Sequence, residues 1–123
     1  MDEKPLHWVG SAKKDLLCFP GDVLDNIGYA LGVVQQGGHP PSVKAWKGLG
    51  PRVFEILEDD GRGTYRLVYS VRFRKAIYVL HAFQKESPSG VRTARTDVAL
   101  VVKRLHMATQ DYKERYGEET DPG

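Results

Sequence analysis

Cysteine is nearly absent from this sequence, and long apolar runs are absent altogether. The single Cys18 cannot form an internal disulfide, and its place in the apolar run LLCF predicts a buried, unreactive thiol. No stretch approaches the ~20 apolar residues that a membrane-spanning helix needs. The acidic, polar start MDEKPLHWVG is unlike a secretory signal. We therefore expect no membrane contact, and a reducing cytoplasm as the compartment.

Patterns that hold metals or nucleotides are also missing. His7, His39 and His106 are scattered along the chain, and Cys18 does not complete a set of ligands with them. The segment Gly48–Gly50 lacks the Gly-Lys-Ser/Thr ending of a phosphate-binding loop, so it is expected to shape a turn. We expect neither a metal nor a cofactor.

Positive charge is concentrated in one part of the chain. Residues 61–116 hold twelve Lys and Arg against four Asp and Glu, a net charge of +8. Residues 1–60 hold six against nine, and residues 117–123 hold three acids and no base. The overall net charge of +2 therefore hides a basic block. Such a block indicates a polyanionic partner, an acidic protein that covers it, or a solvated face.

Two helices are predicted in the first third of the chain. Ser11 is expected to cap a short helix over AKKDLLCF, which Pro20 ends. A second helix opens at Gly21-Asp22 and ends before Gly37-Gly38. Its apolar residues recur at the spacing of one buried face: Val23, Ile27, Ala30, Leu31 and Val34.

Strand patterns occupy much of the remainder: LHWVG (6–10), RVFEIL (52–57), TYRLVYSV (64–71) and AIYVLHAF (76–83). Residues 39–51 and 87–90 are predicted loops, and Asp97 is expected to cap a final helix.

The order β-α-α-β-β-β-α predicts an α+β fold. Three consecutive strands favour an antiparallel meander, with helices packed on one face of the sheet. Residues 1–116 are expected to form a single domain, followed by an acidic, flexible tail over 117–123.

Arg66 stands out in the hairpin that runs from residue 63 to residue 85. If the turn is centred on Phe73-Arg74, Arg66 lies opposite His81 and shares its face, with Lys85 at the strand end. A mid-strand arginine has three explanations. It pairs with a buried acid such as Glu55, it faces solvent, or it forms a fork for phosphate.

The segments GTYRLVYSV and AIYVLHAFQK, followed by a helix containing KRL, resemble the RelE/ParE superfamily of bacterial toxins. KGLGPRVFEIL together with YRLVY and LHAFQK resembles in particular the HigB-like, phage-derived branch. The resemblance covers residues 5–116. It implies a fold similar to compact microbial ribonucleases, cleavage of messenger RNA at the ribosomal A site, and a cognate antitoxin, often a helix-turn-helix DNA-binding protein.

The resemblance also implies roles for individual residues. Arg66 matches the strand arginine that contacts the scissile phosphate in RelE-like nucleases, and Lys85 matches a basic residue at the end of the last strand. His81 is the candidate for proton transfer, because histidine titrates near neutral pH. The basic residues expected to contact RNA are Lys44, Lys47, Arg52, Arg72 and Arg74.

The sequence also departs from RelE. Glu55 and Leu57 stand where RelE has two lysines, Glu86 stands where RelE has an arginine, and the tyrosine near the start of RelE's last helix has no clear equivalent. Three functions therefore stay open. They are a metal-independent mRNA endoribonuclease on the ribosome, a non-enzymatic ParE-like inhibitor of DNA gyrase, and a degenerate member that only binds an antitoxin.

Overall fold

The computed structural model describes residues 3–61, 63–85 and 91–117, with the backbone alone at residues 85 and 91–94. The predicted loop 87–90 and the tail after residue 117 lie outside these residues. The elements are β1 (Leu6–Trp8), α1 (Ala12–Leu17), α2 (Gly21–Gln35), β2 (Val43–Ala45), β3 (Val53–Asp59), β4 (Thr64–Ser70), β5 (Ile77–Lys85) and α3 (Val91–Tyr116). None of the described helices is long and apolar enough to cross a membrane.

The five strands form one sheet in the order β1-β5-β4-β3-β2. The predicted antiparallel meander is confirmed, since β3 pairs with β4 and β4 with β5 in antiparallel fashion. β1 joins β5 in parallel, and β2 joins the outer edge of β3. β2 lies inside residues 39–51, which were expected to be a loop. Its three residues are too few for their pattern to stand out between prolines and glycines.

Helices cover both faces of the sheet, whereas one face was predicted. On the back face, α1 and α2 bury Leu16 and Ile27 against Leu67 and Tyr69, and the five predicted α2 residues are all buried there. On the front face, α3 buries side chains against Val68 and its neighbours. The meander strands are apolar on both sides, so each side needs a cover. The α3 residues buried on the front face are Val101, Leu105, Ala108 and Tyr112.

A β-bulge at Leu80 changes the predicted register of the hairpin. Tyr69 pairs with Val79 and Val68 pairs with His81, so Leu80 is the extra residue. Arg66 consequently lies opposite Phe83 and not opposite His81. The turn is also longer than predicted, because Phe73 is buried in the front-face core and cannot serve at a tight turn centre.

The bulge also changes which side chains share a face. Ile77 and Val79 pack on the back face, and Tyr78 and Leu80 pack on the front face. His81 pairs with front-face Val68 and contacts α3, so it joins the front face together with Leu80. A strand without the bulge would place the even-numbered and odd-numbered residues of β5 on opposite faces throughout.

Arg104 ties α3 to the rest of the domain from a buried position. Its Nη1 donates to the carbonyl oxygen of Leu80 and its Nη2 to Oγ of Ser11, each at 3.0 Å. Gly10 (φ 57°) leaves room for this side chain, since a Cβ there would lie 2.9 Å from Nε of Arg104. Ser11 stands at the predicted N-cap position, but its hydroxyl donates to the Asp15 carboxylate and accepts no bond from a backbone N–H of α1.

Two further predictions about single residues are wrong. Cys18 is exposed and not buried, because it follows the last turn of the short helix α1. Asp97 lies inside α3 and not at its start, which is at Val91. Its side chain is buried against the sheet, where it bonds to another side chain.

Replacing Arg104 by Met should lower the free energy of unfolding by about 2–4 kcal/mol, because it leaves the Leu80 carbonyl and the Ser11 hydroxyl without a charged donor. Denaturant unfolding of the variant measures this loss. Lys103→Met, at the exposed neighbouring position, should stay within about 0.5 kcal/mol of the parent protein. Equal stability of the two variants would contradict the anchoring role.

Candidate active site

Two rows of side chains cross the front face. Because alternate residues of a strand share a face, neighbouring rows lie about 6–7 Å apart. The first row runs across three strands through Glu55, Val68 and His81. The second row runs parallel to it through Leu57, Arg66 and Phe83. The meander therefore holds a carboxylate, a guanidinium and an imidazole on one rigid surface.

Arg66 is half-buried and forms an ion pair with the neighbouring strand. Its Nη1 donates to Oε1 of Glu55 at 3.0 Å, and the two side chains are 23% and 11% exposed. Pairing with Glu55 is one of the three explanations left open by the sequence, and it is confirmed. Because Glu55 holds one side of the guanidinium and part of Arg66 faces solvent, donors remain that can bind an anion.

His81 is buried and bonded to α3. Its Nε2 lies 2.8 Å from Oδ1 of Asp97, and the two side chains are 8% and 11% exposed. The ring also stacks on Phe83, with centroids 4.7 Å apart and planes 18° apart. A carboxylate only accepts hydrogen bonds, so Nε2 carries a hydrogen in this pair. Two neighbours therefore fix the orientation of the imidazole.

Buried polar atoms without a partner gather around these side chains. Within the described part of the chain they are Trp46 Nε1, Arg66 Nε, His81 Nδ1 and Asp97 Oδ2. Trp46 belongs to the same group, since its ring meets Phe83 edge-on at 6.5 Å. Each unpaired buried group costs about 1–3 kcal/mol, and native proteins keep few of them. Their concentration here marks a place where polar side chains are kept for something other than stability.

A cavity of about 320 Å³ opens on the front face near β2. Its lining includes Lys44, Leu57 and Thr64. Leu57 lies directly opposite Arg66 on the adjacent strand, and Lys44 lies directly opposite Glu55. The front face thus has a partly open cavity next to the Arg66–Glu55 pair, and its lining carries one lysine and one aspartate.

The sequence profile of the phage-derived, Gp49-like protein family matches residues 14–106. The chain belongs to the Gp49-like family. The match includes the four polar residues of the site: Glu55, Arg66, His81 and Asp97.

Solved structures similar to this Gp49-like protein include bacterial toxins. A free-state mutant of the Escherichia coli toxin RelE matches with a TM-score of 0.60 and 20% identity, over 85% of this chain and 99% of that chain. The toxin–antitoxin complex RelBE2 from Mycobacterium tuberculosis matches with a TM-score of 0.47 and 20% identity, over 68% of this chain and 99% of that chain. The likeness to RelE confirms the expected RelE-like α+β fold. Comparison with curated protein sequences finds no significant match.

The basic residues predicted to bind RNA do not form one patch in this Gp49-like protein. Lys44 lies on the front face beside Glu55, and Lys47 is exposed nearby. Arg52 borders a cavity of about 350 Å³ on the back face. Arg72 donates to the carbonyl oxygen of Leu49 at 2.7 Å, and Arg74 is exposed in the β4–β5 connection. These five assignments stay predictions.

Lys85 contributes only its backbone to what is described. That backbone pairs with Thr64 at the end of β5. Its side chain lies outside the described part of the chain, so the role predicted for Lys85 stays a prediction.

Sequence reasoning missed Asp97 and Trp46 as members of the site. Asp97 carried a usable signal: it precedes Val101, Leu105 and Ala108 at helical spacing on the buried face of α3. A charged residue at a core position of a helix needs a buried partner. Among the described residues, no three His, Cys, Asp or Glu side chains gather closely enough to hold a metal ion.

A second cavity, of about 590 Å³, lies between β1 and the C-terminal half of α3. The Tyr78 hydroxyl donates to Oδ2 of Asp111 at 2.6 Å, and Arg115 also bonds to that oxygen. Burial acts to raise the pKa of Asp111, but the bonds from Tyr78 and Arg115 outweigh it and lower that pKa. His7 lies beside Tyr78 and bonds to the Tyr116 hydroxyl at 2.8 Å.

His7 should make the fold less stable in mild acid. Burial, and then the charge of Arg115, lower the pKa of His7, while Asp111 opposes them. The unfolded chain therefore binds the proton more readily, so this stability is present above the ordinary histidine pKa of about 6.5 and is lost as the pH falls through and below that value. His7→Asn should flatten the fall in unfolding free energy between about pH 7.5 and pH 5.

Unfolding in denaturant at several pH values measures this slope. His106→Asn is the matched control, since His106 is exposed on α3. An unchanged slope in His7→Asn would contradict the assignment. Asp111 changes the unfolding free energy only at lower pH, below the ordinary aspartate pKa of about 3.9. Its effect therefore lies outside the range from about pH 7.5 to pH 5 in which His7 is tested.

Proposed function

We propose that this Gp49-like protein is the toxin of a toxin–antitoxin pair and cleaves messenger RNA on the ribosome. The observation that carries the proposal is the front face of the meander, where Arg66, Glu55 and His81 share one surface beside a partly open cavity. The RelE fold supports it, because the similar structure with that fold is a bacterial toxin. Its partners are then an antitoxin, the ribosome and the message.

RNA cleavage needs three things from a protein. The 2′-hydroxyl must lose its proton, the charge that develops on the phosphate must be balanced, and the leaving 5′-oxygen must receive a proton. Arg66 suits the second task, since its guanidinium is permanently charged and offers paired donors. Glu55 and His81 are the groups of the site that exchange protons.

Glu55 and His81 share the front face but lie on β3 and β5, the two strands that flank β4. They stand in one row with Val68 between them, which separates their Cα atoms by about two strand spacings, or ~9.6 Å. An in-line displacement needs its proton acceptor and its proton donor on opposite sides of the phosphate, because the attacking and leaving oxygens lie on opposite sides of phosphorus. We assign proton removal to Glu55, beside Arg66, and proton donation to His81. The products are a 2′,3′-cyclic phosphate and a 5′-hydroxyl.

Arg66→Ala should abolish growth arrest on induction, because it removes the group assigned to the phosphate. Since it also leaves the buried Glu55 carboxylate without its partner, denaturant unfolding of the variant checks that it is still folded. Arg115→Ala, another arginine that forms an ion pair but lies at the far end of α3, should leave toxicity unchanged. The direct measurement is translation of a defined message with added protein, with 5′ ends mapped. Cuts confined to translated codons, and lost with Arg66→Ala, support the proposal.

Two results would overturn the proposal when that assay is combined with growth after induction and a gyrase DNA-cleavage assay. An intact message together with gyrase-dependent DNA breaks would favour the non-enzymatic ParE-like function. An intact message, intact DNA and no growth arrest would favour a member that only binds an antitoxin.

Glu55→Gln should slow cleavage by about 10²–10⁴-fold, because the amide still accepts a bond from Arg66 but cannot take a proton. Single-turnover cleavage of a ribosome-bound message measures the rate. Glu58→Gln is the matched control on the same strand, because Glu58 bonds to Asn26 of α2 on the back face. Parental rates in the Glu55 variant would exclude it as the proton acceptor.

A further inference from the structure

Asp97 occupies a costly position. It lies inside α3, where aspartate is a poor helix former, and it is only 7% exposed. Its Oδ1 accepts a bond from His81, and its Oδ2 has no partner within the described part of the chain. A buried carboxylate with one oxygen unpaired is a worse choice for the fold than an apolar side chain. The fold alone therefore does not explain an acid at this position.

The hydrogen bond between His81 and Asp97 determines which nitrogen of His81 can exchange a proton. The bond to Asp97 occupies Nε2, and stacking on Phe83 holds the ring plane. Nδ1 makes no hydrogen bond in the described part of the chain. It is therefore the one ring nitrogen left for a substrate. Nδ1 is covered in the free protein, so RNA must displace a neighbouring side chain to reach it.

We propose that Asp97 is a positioning residue that keeps the hydrogen on Nε2 of His81 and so directs proton transfer through Nδ1. This rests on the proposed nuclease function. His81 enters the reaction charged, with hydrogens on both nitrogens. As the bond between phosphorus and the 5′-oxygen breaks, the Nδ1 proton passes to that oxygen. His81 is left neutral, with its Nε2 hydrogen still bonded to Asp97.

The first test needs no variant and no cleavage. Long-range ¹⁵N–¹H NMR of the free protein, with His81 assigned, identifies the nitrogen that bears hydrogen in neutral His81. Hydrogen on Nε2 is the expected result. Hydrogen on Nδ1 would overturn the proposal, whether or not any Asp97 variant folds.

The second test separates positioning from a structural role through the leaving group. Asp97→Asn should slow cleavage of an ordinary message on the ribosome by on the order of 10²-fold. On a message whose scissile 5′-oxygen is replaced by sulfur, the leaving thiolate needs no proton. The same variant should then cleave within about threefold of the parental rate, since proton donation no longer limits the reaction.

The outcomes distinguish the two proposals. Asp111→Asn, an acid on the same helix that bonds to Tyr78, should match the parental protein on both messages. Equal slowing of Asp97→Asn on both messages would mean a structural role and overturn the positioning proposal. Parental rates on both messages would overturn it too. If the parental protein cuts neither message, the nuclease function fails, and the Asp97 proposal fails with it.

Discussion

The site depends on a single irregularity in the sheet, the bulge at Leu80. Strand geometry sends successive side chains to opposite faces. One extra residue in β5 breaks this alternation, so that Leu80 and His81 both belong to the front face. Without it, His81 would lie on the back face, away from Arg66 and Asp97. The carbonyl oxygen of the bulged residue, Leu80, also accepts a bond from Arg104, which anchors α3 over the same face. The bulge thus brings together the imidazole, its carboxylate partner and the helix that carries that partner.

Two polar pairs, both largely buried, characterise the face that this arrangement creates. Arg66 with Glu55 and His81 with Asp97 each remove polar or charged groups from water, which costs free energy unless the geometry is good and the remaining atoms are paired. Within the part of the chain that the structure describes, several of those atoms have no partner. A sheet selected only for stability would hold apolar residues at these positions, as it does at Val68 between them. Stability is therefore supplied elsewhere, by the apolar cores on both faces and by Arg104.

The sequence predicted the parts of the fold that periodicity controls. The buried face of α2 and the meander follow directly from apolar spacing, and the segments around Arg66 and His81 carried the family resemblance. The bulge was not predictable, because IYVLHAF has an apolar residue on either side of His81 and alternation alone permits either register. The length of the turn after Ser70 also depended on the burial of Phe73, which is a tertiary effect. Asp97 was mistaken for a helix cap because caps and buried partners use the same residue type.

In the proposed function, the front face, with Arg66 at its middle, meets the phosphate backbone of a message. The most direct measurement is a cryo-electron-microscopy structure of the protein on a ribosome programmed with a 2′-O-methylated message, which cannot be cleaved. We expect Arg66 within hydrogen-bonding distance of a message phosphate, with Glu55 and His81 on opposite sides of that phosphate. A structure in which the back face or the β1 edge meets the message, with Arg66 still paired only to Glu55, would contradict it.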